Sequence, residues 1–149
     1  TEAALAVVQA RDLGLKQPVF GADGIATEEF LAIGGKAVEG VMHTTFWHEK
    51  AAQSELSKKY VELYRQKYGA DDEVNVFGAL AADCYLIVLD AIKRAGSADP
   101  KAVALAIEDT KDLQVITGSV TIENGDAIKP VVFREVKNGK WDYKTMVNP

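Results

Sequence analysis

The spacing of apolar residues predicts helices over most of the chain and strands over its last third. Apolar positions that recur every three to four residues form helical patterns over residues 3–13, 28–33, 54–68 and 76–95, and a further pattern starts at Pro100. From Leu113 onward the period changes to two, which is typical of strands. The chain therefore combines an α/β first part with a β-rich tail.

Two runs in the first part predict parallel strands. The apolar run that starts at Pro18 ends at Gly21, and a second run at 40–47 is rich in β-branched and aromatic residues. A helical pattern lies between them, and it begins at Thr27, which is a favourable N-cap. Because parallel strands need a crossover connection, this order predicts a β-α-β unit.

The tail predicts antiparallel strands joined by tight turns. Asn124-Gly125 and Asn138-Gly139 each separate two strand-like runs, and Asn-Gly is the strongest short hairpin signal. Asp99 followed by Pro100 predicts a helix start just before this region, with Val103, Ala104 and Ile107 as its buried stripe.

The longest helical pattern, 76–95, is apolar on several sides and is expected to form a central element. Its cysteine, Cys84, is the only one in the chain, so we expect a small buried side chain rather than a disulfide. The apolar run within this pattern is interrupted by Asp83 and Asp90 and is too short to span a bilayer. Just before it, the acidic residues 71–73 are expected to be solvated.

The number of helical patterns exceeds what the predicted parallel strands can cover. A parallel sheet is normally covered on both faces, yet only two parallel strands are predicted for five helices. The chain also starts directly in a helical pattern at Thr1-Glu2. We therefore expect either that a leader has been removed or that the chain is part of a longer protein that supplies more strands.

Composition restricts the kinds of partner. The 149 residues are 48% hydrophobic and 26% charged, which is typical of a globular protein. The net charge is −5, and a nucleic-acid surface needs a clustered excess of Lys and Arg that this sequence lacks. Small-molecule or protein partners are therefore expected, and nucleic acid is not.

Asp23 is the candidate ligand contact. It follows the first predicted strand within Gly21-Ala22-Asp23-Gly24, and open α/β sheets bind ligands outside the carboxyl ends of their strands. The alternative is structural: an Asp before a Gly often forms an Asx-turn with its own backbone.

The sequence motifs give little support to a catalytic function. A phosphatase-like motif would need an Asp where Gly21 stands, so no nucleophile is available there. His43, His48 and Glu49 fit neither a helix face nor a usual zinc spacing. We therefore expect no enzyme activity, no metal and no cofactor.

Six segments, taken in order, resemble the branched-chain amino-acid (leucine/isoleucine/valine) substrate-binding proteins of ABC transporters. They are residues 10–15, 18–24, 37–41, 64–69, 89–96 and 117–126. The resemblance covers nearly the whole chain and corresponds to the C-terminal part of that family, less than half of its usual length.

The resemblance implies the fold class α/β, as an incomplete type I periplasmic binding protein with Rossmann-like three-layer lobes and a C-terminal antiparallel hairpin. Residues 1–46 are then the end of the second lobe, 47–124 return to the first lobe, and 125–149 form the hairpin of the second lobe. The segment from Thr45 to His48 would be one crossing of a hinge that closes on the ligand. A further hypothesis is that the fragment dimerises or exchanges segments to cover its helices.

The resemblance also assigns two site residues. An acidic residue at the position of Asp23 grips the α-ammonium of the ligand in this family, and an aromatic residue at the position of Phe77 lines the cleft. For Phe77 the alternative is ordinary core packing at helical spacing. The family usually has a Tyr shortly before Asp83, where this chain has Ala82, so the pocket near this helix departs from the family pattern.

The implied function is binding without catalysis. The protein would be a periplasmic or extracellular receptor that captures an amino acid and delivers it to an ABC transporter permease, with a lipid anchor ahead of Thr1 as one option. The alternative is a cytoplasmic sensor of the same fold that binds amides or similar small molecules.

Overall fold

The computed structural model describes residues 1–51, 54–69 and 74–149, and the acidic residues 71–73 lie outside the described residues. The described helices are α1 (Glu2–Asp12), α2 (Glu28–Gly34), α3 (Glu55–Tyr68), α4 (Val76–Ala95) and α5 (Pro100–Glu108). The described strands are β1 (Phe20–Gly21), β2 (Met42–Thr45), β3 (Leu113–Val115), β4 (Gly118–Glu123), β5 (Asp126–Ile128), β6 (Val131–Lys137) and β7 (Lys140–Val147). The chain divides into two compact units, which we call unit 1 (residues 1–45 and 131–147) and unit 2 (residues 46–130 and 148–149).

Unit 1 is a four-stranded sheet with the order β1-β2-β6-β7 and the helices α1 and α2. β1 and β2 are parallel, as predicted from the helix between them, and β6 and β7 pair antiparallel. The buried core of this unit contains small and branched apolar residues and one phenylalanine: Ala4, Val7, Phe30, Val38, Val41 and Val136. Trp141 from β7 stacks on Phe30 with ring centroids 5.6 Å apart, which joins the end of the sheet to α2.

Unit 2 contains α3, α4, α5 and a three-stranded antiparallel sheet with the order β3-β4-β5. Trp47, Val74, Ala79 and Ile116 form its buried core. The Arg94 side chain joins α4 to α5, since its guanidinium donates to the carbonyl of Ala106 in α5 and to the hydroxyl of Thr110 just after it, the latter at 2.8 Å.

The predicted element boundaries agree with the structure wherever a cap or a turn marks them. Thr27 caps α2 through its hydroxyl, and Asp99 caps α5 through its carboxylate, with Pro100 in the first turn. Asn124 and Asn138 both have positive φ and are each followed by a glycine with positive φ, as a two-residue hairpin turn requires.

The predicted burial of two helices was wrong. Cys84 is exposed, and α5 has no buried residue, so the expected stripe on this helix is only partly covered. The pattern of apolar residues identified the helices correctly, but a helix faces solvent wherever no other element of the chain packs against it.

Candidate functional site

Asp23 follows the carboxyl end of β1, as predicted. β1 ends at Gly21, and Asp23 begins a short 3₁₀ turn that runs to Ile25. The amide of Ala26 donates to the main-chain carbonyl of Asp23 at 3.0 Å, which closes the turn. The side chain therefore extends from a closed turn at the strand end rather than from a long loop.

The side chain of Ile25 holds this turn on the sheet. It is half-buried and packs against the core of unit 1. A Cβ built on Gly21 would meet Cδ1 of Ile25, so a larger residue at this position would displace the Ile25 side chain. Asp23 thus lies between a strand end and an apolar anchor, and its backbone position is fixed on both sides.

The carboxylate of Asp23 is half-exposed and has no partner within the described residues. No amide, hydroxyl or cationic group of residues 1–51, 54–69 or 74–149 donates to it. The alternative prediction of an Asx-turn is therefore wrong, because that turn needs a backbone amide bonded to this carboxylate. The full hydrogen-bonding capacity of the side chain is available to a cationic group.

Phe77 lies in the first turn of α4, within unit 2. The side chain of Asn75 caps this helix and accepts from the amides of Phe77 and Gly78 at 2.9 Å and 3.2 Å. Phe77 is 62% exposed within this chain. An exposed aromatic ring on a well-capped helix start offers a rigid apolar surface.

A buried polar cluster in unit 2 was missed by sequence reasoning. We call it the Asp83 cluster, and it consists of Asp83, Thr117 and Lys129. The carboxylate of Asp83 is buried, accepts from the amides of Ile116 at 2.7 Å and Thr117 at 3.3 Å, and also accepts from the Thr117 hydroxyl. The ammonium of Lys129 lies 3.7 Å from the same carboxylate.

Burial in unit 2 shifts the pKa values of two side chains, Lys129 and Tyr60. Desolvation lowers the pKa of Lys129 below its ordinary value, and the negative charge of Asp83 only partly opposes that effect. Burial also raises the pKa of Tyr60, with smaller contributions from Tyr64, Tyr68 and Asp83. The one sequence signal for the cluster was a charged residue inside an apolar helix, which we interpreted only as an interruption.

Both histidines occupy structural positions. His43 is buried in β2, where its Nδ1 lies 2.9 Å from the carbonyl oxygen of Thr44 and its ring meets Trp141 edge-on. Nδ1 of His48 accepts from the amide of Lys50 at 3.1 Å. Across the part of the chain that the structure describes, no group of three or more metal-ligating side chains is placed to hold an ion.

No helix within residues 1–51, 54–69 and 74–149 combines the length and the apolar character that crossing a bilayer requires.

The family model and the relatives that this chain matches indicate the same protein family. Residues 1–140 match the model of a family described as periplasmic binding protein. The Leu/Ile/Val-binding protein homolog 2 of Brucella abortus is 32% identical over 149 residues, an alignment that covers 95% of this chain and 38% of that protein. The BraC3 Leu/Ile/Val-binding protein of Rhizobium johnstonii is 36% identical over 128 residues.

Solved structures agree with these sequence matches. A leucine-binding protein from Thermotoga maritima has a TM-score of 0.85 and 44% identity, and the match covers 99% of this chain and 42% of that one. The branched-chain amino acid transporter substrate-binding protein of Streptococcus pneumoniae, solved with isoleucine, has a TM-score of 0.76 and 27% identity. The chain therefore spans about two fifths of the length of the proteins it matches. The predicted fold class, an α/β fragment of a type I periplasmic binding protein, is confirmed.

Proposed function

Because the chain belongs to the periplasmic binding protein family, we propose that it is part of an extracytoplasmic receptor that captures a branched-chain or aliphatic amino acid. The receptor delivers this amino acid to the permease of an ABC transporter and catalyses no reaction. The observation that carries the proposal is the 44% identity and TM-score of 0.85 with a leucine-binding protein. The isoleucine complex of the Streptococcus pneumoniae relative supports the same ligand class.

In this proposal Asp23 binds the α-ammonium of the ligand. Its carboxylate follows the carboxyl end of a strand in a parallel pair, the usual position for ligand contacts in α/β sheets. It also has no protein partner within the described residues that would have to be displaced. A carboxylate that binds an ammonium away from water forms a charge-assisted hydrogen bond, which is stronger than a bond between neutral groups.

Phe77 contributes apolar contact to the ligand in the same proposal. Small-molecule sites are lined mostly by hydrophobic and aromatic side chains, with a few polar groups that fix orientation. The ring of Phe77 is exposed, while the capped first turn of α4 fixes its backbone. Asp23 would therefore recognise what all amino acids share, and Phe77 would favour those with apolar side chains.

The proposal also assigns the chain to two lobes. Unit 1 would belong to the second lobe of the receptor and unit 2 to the first. Residues from the remainder of the first lobe would bind the ligand carboxylate, because the half-site proposed here supplies one anionic and one apolar contact.

The test is calorimetric titration of the intact protein with leucine, isoleucine, valine and a panel of other amino acids. The titrations are repeated with Asp23→Ala and with Asp12→Ala, a matched control that removes an exposed carboxylate elsewhere in unit 1. Truncating one partner of a buried, hydrogen-bonded charge pair costs about 2–5 kcal/mol of binding free energy. We expect Asp23→Ala to lose that amount and Asp12→Ala to bind like the wild type.

Equal affinity in Asp23→Ala and the wild type would remove Asp23 from the site. If the intact protein binds no amino acid but binds a small amide, the alternative of a sensor with the same fold would replace the receptor. The 149-residue chain is titrated in parallel, and no binding by this chain alone is expected if other segments supply half of the site.

A further inference from the structure

The chain contains two Asn-Gly turns with nearly the same backbone geometry. Asn124-Gly125 joins β4 to β5, and Asn138-Gly139 joins β6 to β7. The φ angles of the two asparagines are 53° and 54°, and both glycines also have positive φ. All four residues are exposed. The two turns are therefore a matched pair, and differences between them arise from their surroundings.

An Asn-Gly pair can lose its side-chain amide group without an enzyme. The glycine amide loses its proton to water or hydroxide, and its nitrogen attacks Cγ of the asparagine. A bond forms between these two atoms, the bond from Cγ to the side-chain nitrogen breaks, and ammonia leaves. Water then opens the five-membered succinimide ring, which gives an aspartyl or an isoaspartyl residue with one new carboxylate. Glycine favours this reaction because it has no Cβ to hinder ring closure.

In the second turn the carboxylate of Glu39 binds both main-chain amides. Oε1 of Glu39 accepts from the amide of Asn138 at 2.8 Å, and Oε2 accepts from the amide of Gly139 at 3.2 Å. The nitrogen of Gly139 is the attacking atom, so it must first give up a charge-assisted hydrogen bond. The adjacent negative charge also disfavours loss of its proton. Glu39 therefore opposes both changes that the nucleophile must undergo.

The backbone around Glu39 is fixed beside this hairpin. The amide of Gly40 donates to the carbonyl of Val136 at 2.9 Å, and the amide of Val136 donates to the carbonyl of Val41 at 2.8 Å. Val41 and Val136 are buried in the core of unit 1. The segment that carries the exposed Glu39 side chain is thus held next to the turn by main-chain bonds and by the core.

The first turn has no such partner within the described residues. None of residues 1–51, 54–69 and 74–149 accepts a hydrogen bond from the amide of Gly125 or bonds to the side chain of Asn124. The next strand, β5, has three residues, lies at the edge of its sheet and is exposed along its whole length. Because segments with few buried contacts open locally at little cost, this turn can reach the conformation that ring closure needs.

We propose that Asn124 is a site of spontaneous deamidation and that Glu39 protects Asn138 from the same reaction. Water is the only other reactant. The product has a new negative charge between Glu123 and Asp126, the paired residues that flank the turn. The isoaspartyl form also lengthens the main chain in a turn whose length sets the register of β4 and β5.

Neighbours in sequence favour the opposite order of reactivity. Two acidic residues flank the first turn and two lysines flank the second: Glu123 and Asp126, and Lys137 and Lys140. Negative neighbours disfavour ionisation of an amide, and positive neighbours favour it. In an unfolded chain Asn138 should therefore react at least as fast as Asn124. A slower reaction at Asn138 in the folded protein then reports the folded structure rather than the local sequence.

The test incubates the intact protein at mildly alkaline pH, both folded and in guanidinium chloride, and measures deamidation at each site by peptide mapping with mass spectrometry. Chymotrypsin is the protease, because trypsin would cut next to the second turn at Lys137 and Lys140. The variants are Glu39→Ala, the conservative Glu39→Gln, and Glu135→Ala as a matched control. The carboxylate of Glu135 lies in the same hairpin but binds Lys144 instead of the turn. Thermal unfolding verifies that each variant is folded.

In the folded wild type we expect Asn124 to deamidate at least about tenfold faster than Asn138, the rate factor that corresponds to one hydrogen bond to a charged group. In guanidinium chloride this difference should disappear or reverse. Glu39→Ala should raise the rate at Asn138 by about tenfold and leave Asn124 unchanged. Glu39→Gln keeps one acceptor oxygen and should give a smaller increase, and Glu135→Ala should react like the wild type.

Equal rates at the two sites of the folded wild type, or a faster reaction at Asn138, would overturn the proposal. A folded Glu39→Ala variant in which Asn138 still reacts slowly would remove Glu39 as the protecting group. Should Glu39→Ala fail to fold, Glu39→Gln and the comparison of the two wild-type sites decide instead. Deamidation is measured without any ligand, so the result is independent of the proposed function.

Discussion

Two aspartates of this chain lie in opposite environments. Asp23, in the turn after β1, is half-exposed, and its carboxylate has no partner within the described residues. Asp83, in the middle of α4, is 4% exposed, and its carboxylate accepts from two amides and a hydroxyl and lies 3.7 Å from the ammonium of Lys129. An aspartate carboxylate is therefore available for binding in unit 1, whereas in unit 2 the groups of the protein itself occupy it.

The difference shows how a functional carboxylate can be distinguished from a structural one. A carboxylate has about four lone-pair positions, and Asp83 uses them to join α4 to the turn between β3 and β4. Asp23 uses none of them within the described residues, although the turn that holds it is closed by main-chain bonds and by Ile25. A rigid backbone with an unused anionic group is what recognition of a cation requires.

The largest expected effect separates the two aspartates by stability. Asp83→Ala leaves the amides of Ile116 and Thr117 buried without their acceptor and the Lys129 ammonium without its counter-ion. Removing one partner of a buried pair costs about 3–5 kcal/mol. Asp23→Ala removes no contact among the described residues and should change the free energy of unfolding by no more than about 0.5 kcal/mol.

Urea unfolding of the two variants, followed by circular dichroism, measures both values. If the two substitutions have similar costs, the carboxylate of Asp23 has a structural partner, and its assignment as the free group of unit 1 is wrong.

The next effect concerns the turn that carries Asp23. In Gly21→Ala the new methyl group would meet the side chain of Ile25, which packs against the core of unit 1. Overpacking of this kind costs about 1–3 kcal/mol. Gly24→Ala is the matched control, because a Cβ there has no neighbour within 4 Å and Gly24 has no positive φ.

We expect Gly21→Ala to lower both the free energy of unfolding and the amino-acid affinity, and Gly24→Ala to keep both near wild type. Thermal unfolding and calorimetric titration give the two readouts. A stable Gly21→Ala variant that binds normally would mean that the position of Asp23 does not depend on the contact between Gly21 and Ile25.

A smaller effect is expected when the hydroxyl of Thr117 is removed. Thr117→Val keeps the shape of the side chain but takes one donor from Asp83 and one acceptor from Lys129. The net contribution of a hydrogen bond is about 0.5–1.5 kcal/mol, and bonds to charged groups lie at or above the upper end. Thr121→Val is a partly matched control, because its hydroxyl bonds to the more exposed Asp112 at the start of β3.

The free energy of unfolding of Thr117→Val should fall by more than that of Thr121→Val. Equal costs would indicate that the three polar groups of the Asp83 cluster act independently rather than as one network.

Sequence reasoning predicted most elements of the fold because local signals mark them. Caps at Thr27 and Asp99 and the two Asn-Gly turns determine where helices and hairpins begin and end, and these depend on neighbouring residues only. The position of Asp23 after β1 was predicted for the same reason. Its lack of a protein partner was not, because that depends on which side chains the fold brings near.

Burial was predicted less well than element type. Cys84 was expected to be buried, and it is exposed, because the surroundings of a helix face depend on elements distant in sequence. The Asp83 cluster was missed for a related reason: Lys129 and Thr117 lie 46 and 34 positions beyond Asp83. No local pattern connects residues at such separations, whereas the structure brings their polar atoms together.

The smallest expected effect is a pH dependence that arises from Lys129. In the unfolded chain its ammonium titrates near the ordinary value of 10.5, and in the folded protein desolvation lowers its pKa. Below the folded pKa the burial penalty is present in full. Between the two pKa values the unfolded state binds more protons, so the contribution of Lys129 to the free energy of unfolding rises with pH.

Other groups that titrate nearby must be kept constant in this measurement. Cys84 interacts with the charge of Lys129, so Cys84→Ser is used as the background. Asp83 is the other charged group that affects Lys129, and it is the same in all the proteins compared. The raised pKa of Tyr60 has the opposite sign, since it lowers stability above its ordinary value of 10.0.

Urea unfolding is therefore compared from about pH 8 to about pH 10 in the wild type, Lys129→Met and Lys140→Met. Stability should rise with pH more steeply in the wild type and Lys140→Met than in Lys129→Met, because only the first two contain the buried ammonium. Parallel profiles for all three proteins would show that the Lys129 ammonium carries no net burial penalty. The ion pair of Asp83 and Lys129 would then stabilise the fold. In that case the buried carboxylate of unit 2 would no longer be linked to a loss of stability, and this difference from the free carboxylate of unit 1 would disappear.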